Sequence, residues 1–138
     1  MRKFLLLILI LFSVSLQSGY ASNLSYIDKK ESHAINNNKT GDTDKMLKAT
    51  NSAQMDWNKE LNKYYKLLLQ NLSGQDKQDL INSQKAWESY KQYQIRLTNN
   101  TILNMQGTMY INVAGGCRRE IIKQRALELK QMYTVLFE

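Results

Sequence analysis

The chain has 138 residues, 43% of them apolar and 22% charged, which supports one modest hydrophobic core and not two. Its formal charge of +7 falls to +5 once Arg2 and Lys3 are set aside, and the other basic residues are dispersed. A nucleic-acid reader gathers Lys and Arg on one face, so no nucleic-acid partner is expected; one Cys and one His likewise exclude an internal disulfide and a zinc centre.

The chain opens with MRK, then an apolar run from Phe4 to Leu16, then SGYA with small residues at Gly19 and Ala21. That order reads as a signal peptide over 1–21, cleaved after Ala21. The run is short for a membrane span, and no later stretch is apolar enough to make one. Residues 22–49 are rich in Asn, Ser and Lys without an apolar period, which predicts a flexible N-terminal arm.

A helical domain is expected over 50–138. Trp57, Leu61, Tyr64, Tyr65, Leu68 and Leu72 recur every three or four residues and form one stripe of an amphipathic helix. At SGQD, Ser73 and Asp76 have the spacing of a capping box, so the first helix ends near Leu72 and a second begins at once. Leu80, Ser83, Gln84, Trp87, Tyr90, Gln94 and Leu97 mark the face of that second helix. So short a link predicts an antiparallel hairpin, with Trp57 and Trp87 as its packing seam. Residues 98–116 carry Gly107, Gly115, Gly116 and several Asn, and read as a long connection with a turn of helix near Ile102–Met105. A last helix follows from about Arg118 to Leu136, with Ile122, Ala126, Leu129, Tyr133 and Leu136 on its stripe. The absence of Pro agrees with an all-α fold: a small bundle built on a helical hairpin, with a C-terminal helix packed across it.

Three tyrosines, Tyr90, Tyr93 and Tyr110, are the better exposed candidates for a partner-binding surface, together with the 98–116 connection, and Tyr93 is rotated to the edge of the Trp87 stripe. Arg125 falls between Ile122 and Leu129 on the inner side of the last helix. A charge there needs a carboxylate or an aromatic face; Glu88, Glu60 and Trp87 are the candidates. Cys117 stands where the last helix is expected to begin. The only His lies in the arm, so Cys117 lacks a base and reads as a free or intermolecularly paired thiol. GxSxG, HExxH and phosphate-loop patterns do not occur, so neither an enzyme nor a cofactor is expected.

The stretches WNKELNKYYKLL at 57–68, LINSQKAWESYK at 80–91, GTMY at 107–110 and IIKQRALELKQMY at 121–133 together resemble the lysozyme inhibitor LprI-like family of small exported bacterial proteins. Trp57, Leu61, Asn62, Tyr65, Gln84, Trp87, Tyr90, Gly107, Arg125 and Leu129 fall on that family's motif positions, and most are stripe residues that hold the fold. The resemblance implies a non-catalytic, periplasmic or secreted protein that binds lysozyme or another cell-wall hydrolase. The alternative reading is a basic envelope protein that holds anionic cell-wall polymer through Lys and Arg. A basic lysozyme is not favoured by a +5 chain, so Asp76, Asp79 and Glu88 are the carboxylates that offer a local acidic patch.

Overall fold

A computed structural model describes residues 25–138; the expected signal peptide lies outside the described residues. Four helices follow one another: α1 (Ser25–Asn36), α2 (Thr43–Asn71), α3 (Gly74–Thr101) and α4 (Met109–Phe137), with no strand among the described residues. The all-α expectation holds.

The start of α2 is set by Asp42, whose extended backbone leaves its carboxylate free to accept from the amides of Asp44 (2.9 Å) and Lys45 (3.3 Å). Ala53, Trp57, Leu61, Tyr64 and Leu68 then bury one stripe of the helix. Leu72 and Ser73 are both extended, and that two-residue break turns the chain into α3. Ser73 occupies the expected cap position, but its hydroxyl makes no capping bond.

The core lies elsewhere than the sequence pattern indicates. The most extensive packing joins α2 to α4, which run parallel: Met46 meets Asn112, Lys123 lies over Trp57, and Tyr64 meets Tyr133 at a ring separation of 6.0 Å. Trp57, Leu61 and Leu68 are sealed against Ile122, Ala126 and Leu129, with Ile27 of α1 and Leu80 of α3 closing the ends. The hairpin partners α2 and α3 touch only sparsely. Trp87 is therefore half-buried at the core's edge rather than half of a tryptophan seam. Apart from Leu80, the residues that α3 buries are Gln84 and Thr98, so it has little apolar stripe with which to hold a partner.

The expected flexible arm is a second departure. It contains α1 and the first turns of α2, and Ile27 is fully buried. Three ion pairs dock α1: Lys30 to Asp56 on α2, and Glu31 to Arg119 and Asp28 to Lys123 on α4, each at 2.7 Å. One buried isoleucine leaves no apolar period to detect, and the charges that look solvated in sequence find their partners 26 to 95 residues away.

The third departure is α4, which begins nine residues earlier than expected, at Met109 rather than Arg118. The connection is correspondingly short, 102–108, and turns at Gly107, whose φ of +118° is open to glycine and strained for other residues. Gly115 and Gly116 are helical. Gly115 is buried against α2: a Cβ added there would stand 3.0 Å from Cδ1 of Leu47. The close approach of two helices offsets the roughly 1 kcal/mol by which a helical glycine falls short of alanine.

Candidate functional site

Because α3 sits loosely, it leaves an open groove against α4, in two halves that meet at Arg125. Arg125 spans the groove. Its side chain is 12% exposed; Nε donates to Oε1 of Gln84 (3.1 Å), Nη2 to Oγ of Ser83 (3.1 Å) and Nη1 to Oε2 of Glu128 (3.0 Å). The inner position expected for Arg125 is thus observed, but its partners are not those expected. Glu88 pairs instead with Lys91, Glu60 lies beside Lys63, and the Trp87 ring is covered by Lys91 at 4.6 Å. Gln84 and Ser83 face Arg125 because α3 runs antiparallel to α4, as the Arg118–Asn99 hydrogen bond also shows.

Above Arg125 the groove has a volume of about 550 Å³, and its lining includes Trp87, Tyr90, Leu97, Cys117 and Ile121. Below it the groove widens to about 830 Å³ over an apolar floor, with Asp76 and Asp79 along one side. Tyr90 is 54% exposed in the upper half. Tyr93, one turn on, lines neither half; it is 67% exposed, with the Arg96 guanidinium 5.4 Å from its ring. Tyr110 lines neither half; it is half-buried at the start of α4, within reach of Gly107. The three tyrosines are therefore not brought together in one groove. Cys117 lies in the third turn of α4, so no helix N-terminus acts on it.

Of the family-motif positions, Trp57, Leu61 and Leu129 are core, Tyr65 packs on the core, Gln84 holds Arg125, and Gly107 makes the turn. Asn62 is exposed, and no contact explains it. What the sequence reading missed is mainly polar: Asp28, Glu31, Asp56, Arg119 and Lys123, whose signal is long-range pairing. Asp56 accepts from Lys30 and Lys59, and these hydrogen bonds hold its carboxyl below the ordinary 3.8. Burial raises the Tyr64 hydroxyl above its ordinary value of 10.0.

Among the described residues no group of three His, Cys, Asp or Glu side chains is placed to hold a metal, and no helix is long and apolar enough to cross a membrane. A family model described as "Lysozyme inhibitor LprI" matches residues 35–129, from the end of α1 through most of α4. The chain belongs to the lysozyme inhibitor LprI family. Within that LprI match lie the α2–α4 core, all of α3 and the Arg125 bridge. No curated protein and no solved structure matches the chain.

Proposed function

We propose that this protein is exported and inhibits a lysozyme-type cell-wall hydrolase by protein–protein contact, with no chemistry of its own. The observation that carries this reading is membership of the LprI family across 35–129. The leader-like segment at 1–21 supports export. The contact surface proposed is the α3–α4 side. Arg125 stiffens it there, Tyr90 and Tyr93 stand out from it, and rigid, amphipathic tyrosines suit a protein interface.

Binding of anionic polymer by dispersed charge is the weaker reading. Lys30, Lys59, Lys91, Arg119, Lys123 and Arg125 already face carboxylates, and they are distributed over all four helices. The test is a lysozyme assay on cell-wall substrate with the purified protein titrated in at low and moderate salt. Stoichiometric inhibition that survives moderate salt is the expected result. Absence of inhibition at excess protein removes the reading for the lysozyme used, and retention on wall polymer that fades steeply with salt favours the alternative.

A further inference from the structure

The lower half of the α3–α4 groove is an apolar trough with an acidic rim. Its floor includes Leu72, Leu80, Leu129 and Met132, and Val135 and Leu136 at its open end are 62% and 54% exposed. Large apolar side chains grouped in a concave surface are an unusual feature for a monomer and mark a place where something docks. The rim carries Asp76, Asp79 and Glu128 against Arg125 alone. Adding the helix dipole at the start of α3, about half a positive charge, still leaves the trough negative. The formal charge of the lining groups is thus opposite in sign to the full chain's +7.

We infer that this trough receives a cationic, apolar-tipped segment of the hydrolase, with its Lys or Arg groups on the rim carboxylates and its apolar side chain on the floor. The inference rests on the proposed function and names the partner chemistry for it. It also removes the electrostatic objection to a basic partner, because on-rate depends on the field at the docking surface rather than on net charge. The sequence reading grouped Asp76 and Asp79 with Glu88; the fold replaces Glu88 with Glu128, contributed by α4 across the trough.

The experiment measures binding by calorimetry and inhibition by turnover, side by side, with a basic animal-type lysozyme. It compares the intact protein, the D76N/D79N double variant and V135K, which puts a cation in the trough at an exposed position. A D44N/E60Q double variant makes the same charge change as D76N/D79N on α2, outside both halves of the groove. The expected result is a Kd raised roughly tenfold or more by D76N/D79N and by V135K, with the control unchanged and circular dichroism unaltered throughout. Equal affinity for all four proteins overturns the trough as the site while inhibition by the intact protein keeps the functional reading. Binding that depends on Asp76 and Asp79 without inhibition does the reverse. No binding at all overturns both. A concentration-dependent dimer that V135K abolishes also overturns the inference, because the trough's occupant is then a second copy.

Discussion

Arg125 on α4 donates from Nε to Oε1 of Gln84 on α3 at 3.1 Å; with its bond to Ser83 and that of Arg118 to Asn99, it ties two helices that otherwise approach each other little. Gln84 is 9% exposed, so without Arg125 its amide oxygen loses a partner where water reaches poorly. Arg125→Ala should cost about 1–3 kcal/mol. Arg125→Lys keeps the charge but loses the planar fork, and should recover only part of that. Urea unfolding of both variants and of Gln84→Ala, completed as a double-mutant cycle, measures the coupling. Additive effects would mean that the bridge contributes nothing beyond its separate ends.

Asp56 predicts an acid dependence. Its folded carboxyl titrates below 3.8, chiefly through the Lys30 hydrogen bond and then that of Lys59. The folded state therefore binds this proton less readily than the unfolded state. The resulting stability is fully present above the unfolded value of about 3.9, and is lost as pH falls through the folded value. Lys30 is 61% exposed, so the contribution is small, at most about 1 kcal/mol. Asp56→Asn should be less stable than the parent at pH 7 and equal to it at strongly acid pH. Paired denaturation curves at the two pH values check this, and a constant difference would contradict it.

The two helical glycines should behave oppositely. Nothing lies within 4 Å of a Cβ at Gly116, so Gly116→Ala should stabilise by about 0.5–1 kcal/mol. At Gly115 a Cβ already crowds Leu47, and Gly115→Val drives two more methyl groups into the α2–α4 contact, for a loss of about 1–3 kcal/mol. Thermal midpoints of the two variants should move in opposite directions.

Tyr90 and Tyr93 are predicted to matter for binding and not for folding. Alanine at either should change stability by no more than about 0.5 kcal/mol, since both side chains are mostly in water. Under the proposed function, each should weaken lysozyme inhibition. Tyr110→Ala should instead loosen the turn at Gly107, and its effect should appear in stability before affinity. Inhibition and unfolding curves on the same preparations separate the two classes.

Much of the core was legible from spacing. Trp57, Leu61, Tyr64 and Leu68 read as a stripe and are one, as do Ile122, Ala126 and Leu129. The break at Leu72–Ser73 was legible too, because a helix leaves a local chemical record where it stops. The site was only half legible. The inward position of Arg125 follows from helical period, but its partners Gln84 and Ser83 are ordinary polar residues 41 and 42 positions away. Asp76 and Asp79 are visible as a pair, whereas Glu128 joins them only because α4 runs back along α3.

The sequence by itself determined the all-α class, the apolar stripes and the family resemblance, because periodicity and capping are properties of neighbouring residues. Tertiary structure decided which stripes meet. The packing of α4 on α2 rather than α3 on α2 depends on Gly115 permitting close approach, which a local reading takes for a break. The docking of α1 depends on charge pairs that have no local signature. The trough exists because α3 buries mainly polar groups and so stands off from α4, leaving apolar side chains of both helices open to a partner.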